Sequence, residues 1–337
     1  MDTQKTLIHD YSQLDPDTII SAVESKGYPC DARVLALNSY ENRVYQVGID
    51  DQSPIIAKFY RPNRWSDKQI IEEHLFSKTL HDLDIPAVPP LYLPIGTASQ
   101  TSSLFNFKGY RFALYQRRGG RAPELTDMNQ LYWLGKLMGR VHAVAKTQQF
   151  QHRPSLSIDS FIRKPVAYIL EHDFMPALFK ESYTAIITDI LQHVEANYQQ
   201  FPPKLIRLHG DCHPGNILWT DNGPHFVDFD DSRNGPAIQD LWMLLSGERH
   251  EQEMQLREIL EGYQEFCDFD LYELRLIESL RSMRIIHYAG WLAKRWDDPA
   301  FPRAFPWFNT ESFWGEHILQ LKEQLAALQE NPLQLYP

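Results

Sequence analysis

Three oxygen-bearing side chains in the second half of the chain have the types and spacing that phosphoryl transfer requires. Asp211 precedes Asn216 by five positions, and the intervening Pro214 and Gly215 predict a tight loop rather than a helix. Asp228 follows Asn216 by twelve positions. Phosphoryl transfer needs a base for the hydroxyl proton and metal ions that neutralise the phosphate charge. The pattern therefore predicts Asp211 as the catalytic base, with Asn216 and Asp228 as ligands of Mg²⁺.

A β-hairpin between Asn216 and Asp228 explains how these two residues would meet. The sequence predicts a strand at 217–219, a polar turn at 220–223 and a returning strand at 225–227. A hairpin folds its two ends together, so both residues are expected at its open end, with Asp211 beside them. Asp228 would then act in catalysis through the metal that it holds. A single Asp or Asn beside Gly or Pro is ordinary turn chemistry, but all three in this order favour the kinase signature.

The elements before residue 116 predict a small sheet that carries one prominent helix. Asp15 and Pro16 open a short helix over 18–26, with Gly27 as its stop. Ser66 caps a longer helix that runs to about Asp82, with apolar residues at helical spacing. The strand-like runs lie at 34–37, 44–47, 55–60, 91–93, 103–107 and 110–115.

The paired glycines of residues 117–121 predict a linker, and the pattern beyond them is mainly helical. Helical periodicity covers 131–144, 177–198 and most of 239–328, with hairpin-like material at 205–229 between them. We therefore expect an α+β protein. The pattern divides the chain into a strand-rich lobe at 1–116, a hinge at 117–121 and a mainly helical lobe at 122–337.

Composition limits the compartments and partners that we expect. The net charge of −11 argues against a general binder of nucleic acid or anionic membranes. Cys30, Cys212 and Cys267 form no C-x-x-C pair, which fits a reducing compartment and argues against a disulfide framework or a structural zinc site. Residues 1–5 lack the pattern of a secretion signal, and no apolar run is long enough to span a membrane. We expect a soluble, cytoplasmic protein that acts as a monomer.

The arrangement His-Gly-Asp at residues 209–211, followed by Asn216 and Asp228, resembles the aminoglycoside phosphotransferase and choline kinase branch of the protein-kinase-like superfamily. This resemblance implies a two-lobed fold with ATP as co-substrate, in which a small antiparallel sheet with one main helix precedes a larger, mostly helical lobe. It also implies that residues 1–116 are a nucleotide-binding lobe and that residues 122–337 are a catalytic and substrate lobe. Other motifs resemble bacterial stress response kinases over nearly the whole chain, at 38–45, 58–62, 234–242, 296–302 and 332–335.

The resemblance implies further site residues in the first lobe. Lys58, on the third strand, matches the lysine that contacts ATP phosphates and pairs with a helix glutamate. Glu73 fits that glutamate better than Glu72, because its distance to the break after the helix matches the family pattern. Ser39 falls in the loop that would cover the phosphates, where its hydroxyl or N–H would donate to them. The adenine is expected near residues 112–116, bound by main-chain groups.

The chain also departs from the protein kinase pattern. The loop at 38–43 has no glycine, and Asp-Phe-Asp at 228–230 replaces Asp-Phe-Gly. The next helix is predicted to begin near Gln239, which leaves too little chain for a phosphorylated activation loop. We therefore expect an enzyme that needs no phosphorylation of this segment.

The sequence indicates the use of ATP more clearly than it indicates which molecule accepts the phosphoryl group. The resemblance implies a serine or threonine hydroxyl of a protein and a role in stress response. The alternative is a small-molecule kinase for an amino alcohol, aminoglycoside or choline-like compound. An aromatic pocket for such a cation, or simply core packing, would account for Tyr288, Trp291, Trp296, Trp307 and Trp314. The arginines at 61, 64, 117, 118 and 121 would bind an acidic peptide if they line the cleft. The alternative is that they are solvated surface residues.

Two other classes are weighed against a kinase. A scaffold that binds nucleotide without turnover is disfavoured, because the base, the metal ligands and the lysine are all present in the sequence. A metallohydrolase is disfavoured because His209 and His213 flank Asp211 without the further ligands that a zinc site needs. We expect His209 to hold the catalytic loop in shape.

Overall fold

The computed structural model describes residues 11–96 and 100–335. Residues 1–5, on which the absence of a secretion signal was predicted, lie outside this range. The chain divides into two compact units: Met1–Pro123 with Gly215–Asp230, and Glu124–Pro214 with Asp231–Pro337. No described helix combines the length and the apolar character that crossing a membrane requires.

The elements follow the α+β order that the sequence predicts. The strands are β1 (Cys30–Ala36), β2 (Arg43–Ile49), β3 (Gln52–Phe59), β4 (Leu93–Pro94), β5 (Thr101–Ser102), β6 (Phe105–Phe107), β7 (Tyr110–Gln116), β8 (Ile206–Leu208), β9 (Ile217–Thr220), β10 (Gly223–Phe226) and β11 (Arg233–Gly235). The α-helices are α1 (Pro16–Glu24), α2 (Asp67–Asp82), α3 (Met128–Ala145), α4 (Lys164–Glu171), α5 (Ala177–Gln200), α6 (Ile238–Trp242), α7 (Arg249–Tyr263), α8 (Ile277–Lys294), α9 (Ala300–Ala304) and α10 (Glu311–Leu328).

The first unit is built on an antiparallel sheet with strand order β1-β2-β3-β7-β6. Helix α1 begins at the predicted cap, where the Asp15 carboxylate accepts a hydrogen bond from the Thr18 N–H at 2.7 Å. Helix α2 begins at Ser66 with a capping box that also uses Gln69. Apolar side chains of α1 and the sheet, among them Ile19 and Phe59, form one buried cluster.

The β9–β10 hairpin packs with the first unit, whereas the predicted division assigned everything after residue 121 to the second lobe. The cause is backbone pairing, because the Arg121 N–H donates to the Trp219 carbonyl and the Val88 N–H donates to the Phe226 carbonyl, both at 3.0 Å. Gly120 permits the first contact: its φ is +148°, and a Cβ there would lie 2.7 Å from the Leu218 carbonyl carbon.

The second unit is mainly helical, and its short strands do not join that hairpin. The prediction of hairpin-like structure at 205–229 is therefore wrong for β8, because β8 pairs with β11 and not with the strands of the hairpin. Strand β11 was not predicted, because it is only three residues long and ends in a glycine. Helices α3 and α7 approach closely because Gly135 has no side chain, and a Cβ there would lie 2.0 Å from the Ile259 carbonyl oxygen.

Candidate active site

A cavity of about 350 Å³ lies within the first unit, between its sheet and the β9–β10 hairpin. Its lining includes the apolar side chains of Leu37, Val44, Ile56, Val88 and Leu218. Its polar side chains include Ser39, Lys58, Glu73, Asn216 and Asp228. A flat apolar ring and a charged group can both be accommodated by such a lining, and the volume is in the range of small-molecule sites.

Lys58, which lines the cavity, is buried, with 6% of its surface exposed. Its Nζ lies 2.7 Å from Asp228 Oδ1 and 3.4 Å from Asp230 Oδ1. Burial alone would lower the pKa of Lys58, but the negative charges of Asp228 and Asp230 outweigh it and raise the pKa. Lys58 is therefore a fixed cation beside two carboxylates.

The two glutamates on α2 occupy different environments. Glu73 is buried, with 2% exposed, and lines the cavity. Glu72 is half-buried. The charge of Glu73 is among those that raise the pKa of Lys58. The position of Glu73 therefore favours it over Glu72 as the partner of Lys58. The ion pair between Glu73 and Lys58 stays a prediction.

The hairpin brings Asn216 and Asp228 to one end, as its turn chemistry predicts. Strand residues Ile217 and Phe226 are cross-strand partners, and the Val227 N–H donates to the Asn216 carbonyl at 3.0 Å. Asp228 has a φ of +60°, an uncommon left-handed conformation for a residue other than glycine. Its side chain is half exposed toward the cavity that it lines.

The oxygen donors at this end fit Mg²⁺. Magnesium prefers one or two protein oxygens and keeps its other positions for water and substrate phosphates. Asn216 and Asp228 supply an amide oxygen and a carboxylate in the same cavity. Over residues 11–96 and 100–335, no group of three or more His, Cys, Asp or Glu side chains could hold a metal ion.

Asp230 is a member of this cluster that the sequence analysis did not predict. It is 3% exposed and pairs with Arg64 as well as Lys58. Arg61 likewise pairs with Glu41 at 3.0 Å, so both of these arginines are held by carboxylates. Of the five arginines that the sequence analysis considered for binding an acidic peptide, Arg118 lines the cavity.

Asp211 lies in the second unit, where two basic side chains hold its carboxylate. Arg284 on α8 places Nη1 2.7 Å from Asp211 Oδ1, and His213 Nε2 lies 3.5 Å from Oδ2. Burial would raise the pKa of Asp211, but the hydrogen bond from His213 and the charge of Arg284 outweigh it and lower the pKa. The side chain is therefore an anion at neutral pH, as a general base must be.

The loop before Asp211 is anchored by Asp240 on α6, which is fully buried. Asp240 accepts hydrogen bonds from the backbone N–H of His209 at 2.8 Å and of Gly210 at 2.9 Å. Gly210 has a φ of +87°, and a Cβ there would lie 2.2 Å from the Asp231 carbonyl oxygen. Only glycine fits this position without strain.

His209 contributes to the same loop. It is 2% exposed, and its Nδ1 accepts a hydrogen bond from the Asp211 N–H at 3.4 Å. This contact fits the structural role expected of His209. Asp240 lies within the family motif at 234–242. Its role as the acceptor for two loop amides was not predicted, because it lies thirty residues farther along the chain than the loop.

The late tryptophans pack largely against other aromatic rings of the second unit. Trp314 is fully buried and its indole N–H donates to the Phe174 carbonyl at 2.8 Å. Trp291 packs edge-on against Phe301, with ring centroids 5.0 Å apart. Core packing, one of the two predicted roles, therefore accounts for Trp314, whereas Trp307 is 44% exposed.

Comparisons with known proteins identify the family to which the chain belongs. Residues 33–277 match the model of the phosphotransferase enzyme family. Stress response kinase A of Escherichia coli (strain K12) is 42% identical over 327 residues, which cover 97% of each chain. A protein named serine/threonine protein kinase RdoA, from Salmonella typhimurium (strain LT2), is 42% identical over 97% of each chain.

Two solved structures have similar folds at low sequence identity. The amicoumacin kinase hAmiN, in complex with AMP-PNP, Ca²⁺ and Ami, gives a TM-score of 0.71 at 16% identity, covering 94% of this chain and 95% of that one. Spectinomycin phosphotransferase APH(9)-Ia, in complex with ADP and spectinomycin, gives 0.65 at 15% identity, covering 93% and 98%. The predicted kinase-like α+β fold is confirmed.

Proposed function

The chain belongs to the phosphotransferase enzyme family and is a kinase, and from this premise we propose that it is an ATP- and Mg²⁺-dependent serine/threonine protein kinase. One observation carries the proposal. Lys58, Asn216 and Asp228 line a single cavity whose lining also includes apolar side chains such as Val44 and Ile56. This combination suits a nucleotide, because the base ring needs an apolar slot while the phosphates need cations and metal ligands.

We assign the first unit to nucleotide binding. Asn216 and Asp228 would hold Mg²⁺, which would supply positive charge against the phosphates. Lys58 would contact the phosphates, and Glu73 would orient it. Ser39 lines the same cavity, which supports its proposed hydrogen bond to a phosphate. Apolar contacts from Val44, among others, would hold the adenine against β7 near residues 112–116.

We assign Asp211 as the general base. It would accept the proton of the acceptor hydroxyl as that oxygen bonds to the transferred phosphorus. Its lowered pKa keeps it able to accept a proton at neutral pH. The amide contacts to Asp240 would hold its loop in one conformation before substrate binds, which reduces the entropy that transfer must overcome.

The acceptor part of the proposal rests on names of relatives. Proteins 42% identical to this chain are named stress response kinase A, and one is named serine/threonine protein kinase RdoA. We extend a protein acceptor and a stress-response role to this chain. The alternative is a small-molecule kinase, because solved structures of similar fold carry the names of an amicoumacin kinase and a spectinomycin phosphotransferase.

We further propose that activity needs no phosphorylation after Asp228. Ser232 is the sole hydroxyl residue between Phe229 and Trp242, and it is fully buried beside strand β11. A kinase would have no access to it in the folded protein. A phosphate on Ser232 in active enzyme, with activity lost on its removal, would refute this part.

The cellular location and the oligomeric state are part of the same proposal. A location in the cytoplasm is proposed because ATP is the co-substrate and because Cys30, Cys212 and Cys267 are free thiols. A monomer is proposed because the sequence has no heptad run that would demand association.

The test is transfer of labelled γ-phosphate from Mg-ATP, with Asp228→Ala as the inactive control. Generic protein substrates are offered in one reaction, and small alcohols with aminoglycosides in another. Label on protein serine or threonine, absent in the control, is the expected result. Label confined to a small molecule would refute the protein acceptor while keeping the kinase. Label on neither, with nucleotide binding intact, would indicate a scaffold.

A further inference from the structure

We propose that the acceptor segment is acidic, and that Arg284 binds a carboxylate next to the hydroxyl that receives the phosphoryl group. This inference rests on the proposed function, because it takes Asp211 as the base. It concerns the second unit alone, where all of the residues in the argument lie.

The first observation is the position of Arg284. Its Nη1 lies 2.7 Å from Asp211 Oδ1, so any hydroxyl that meets this base also comes close to a guanidinium. A guanidinium has five N–H donors and binds carboxylates in a fork geometry. The Arg284 side chain is 42% exposed, so part of it is accessible to a substrate.

The second observation is that nearby carboxylates already have basic partners. Asp211 pairs with Arg284, and Asp231 pairs with Arg233 at 2.8 Å. Arg233 also rests on the ring of Phe161, at 4.9 Å from the centroid. A cationic alcohol would have to displace an arginine to reach either carboxylate. An anionic substrate would instead find a cation that already faces the base.

The third observation concerns His287, which stacks on Phe161 with ring centroids 4.4 Å apart. Burial and the positive charges of Arg233, Lys294 and Arg284 lower the pKa of His287 to about 4, against the opposing charge of Asp231. Three cationic side chains from two segments therefore act at this position. These positive charges favour an anion over a further cation.

Aromatic surface lies beside this charge on α8. Tyr288, one turn after Arg284, is 43% exposed and stacks on Trp291 with centroids 5.7 Å apart. A peptide backbone or side chain can pack on such a surface, and aromatic residues are common where peptides bind. The combination suits an acidic serine or threonine peptide rather than a compact polycation.

The experiment compares kcat/KM for matched peptides that carry one serine flanked by Asp and Glu, by neutral residues, or by Lys and Arg. The wild-type enzyme is expected to prefer the acidic peptide over the basic one by about 10- to 100-fold, the range expected for one charged hydrogen-bonded contact. Arg284→Gln should remove most of this preference, Arg284→Glu should reverse it, and Arg284→Lys should keep part of it. Arg303→Glu is the matched control, because Arg303 is an exposed arginine of the same unit and its variant should keep the wild-type preference.

The preference is a ratio within one variant, so it does not depend on how much of that variant folds. Equal use of acidic and basic peptides by the wild type would overturn this inference alone. An equal loss on all peptides in both Arg284→Gln and Arg284→Glu would also overturn it, because Arg284 would then only orient Asp211. Transfer to no peptide, or to small alcohols alone, would contradict the protein acceptor as well.

Discussion

Lys58 and Asp228 form an ion pair of 2.7 Å within the cavity of the first unit, although 170 positions separate them in the chain. Lys58→Met is expected to reduce phosphoryl transfer by about 100-fold or more, the scale seen when one preorganised charge contact is removed. It should also destabilise the unit, because Asp230 is buried beside the lost cation. Lys68→Met, at an exposed position on α2, is the control. Steady-state kinetics and thermal unfolding measure the two effects, and equal behaviour of both variants would contradict this role.

The two adjacent glutamates on α2 offer a matched pair of variants. Glu73→Gln should weaken transfer because Glu73 lines the cavity and acts electrostatically on Lys58. Glu72→Gln should have little effect, since Glu72 is half-buried on another face of the helix. Measured kcat/KM for ATP in both variants decides between them. The opposite order of effects would assign the role to Glu72.

The catalytic loop should depend on Asp240. Asp240→Ala removes the acceptor of two loop N–H groups, and each unsatisfied buried group costs about 1–3 kcal/mol. We expect a lower free energy of unfolding and a lower kcat with a smaller change in KM for ATP. Asp240→Asn keeps one acceptor oxygen and should fall between the wild type and the alanine variant. Urea unfolding and kinetics test this, and a wild-type kcat in Asp240→Ala would contradict the anchoring role.

Glu273 should make stability depend on pH in a defined direction. Burial raises the pKa of Glu273 to about 7 from its ordinary 4.5, although its carboxylate accepts a hydrogen bond from the Ile238 N–H at 2.9 Å. The folded state thus holds a proton that the unfolded state has lost between about 4.5 and about 7. The contribution of the protonated Glu273 to the free energy of unfolding is therefore complete below about pH 4.5 and is lost as the pH rises to about 7.

Glu273→Gln removes that titration, so it should gain stability relative to the wild type as the pH rises. Urea unfolding at about pH 5 and about pH 8 measures the difference. Glu323→Gln, at an exposed position on α10, controls for the loss of one charge. An unchanged difference between variant and wild type at the two pH values would show that Glu273 does not titrate as described.

Local chemistry made the first unit largely predictable. Helix caps act over a few residues, so Asp15 and Ser66 gave the starts of α1 and α2. The turn after Thr220 likewise gave the hairpin that joins Asn216 to Asp228. These features depend on contacts within a few positions in the chain, which a single sequence contains.

Long-range contacts were not predictable in the same way. The pairing of β8 with β11, the carboxylate of Asp240 on the loop amides, and Arg284 on Asp211 join distant segments. Local patterns do not indicate which buried charge will meet which partner. The hairpin was correctly predicted, but its backbone pairing with Arg121 was not, since that contact lies outside the hairpin itself.

The most direct test of the account is single-turnover transfer of γ-phosphate by Asp211→Asn, with Mg-ATP binding measured on the same sample. General bases contribute about 10²- to 10⁴-fold, so transfer should fall by that factor while affinity for Mg-ATP stays close to that of the wild type. Near-normal transfer by this variant would contradict the assignment of Asp211 as the base, and with it the proposed mechanism.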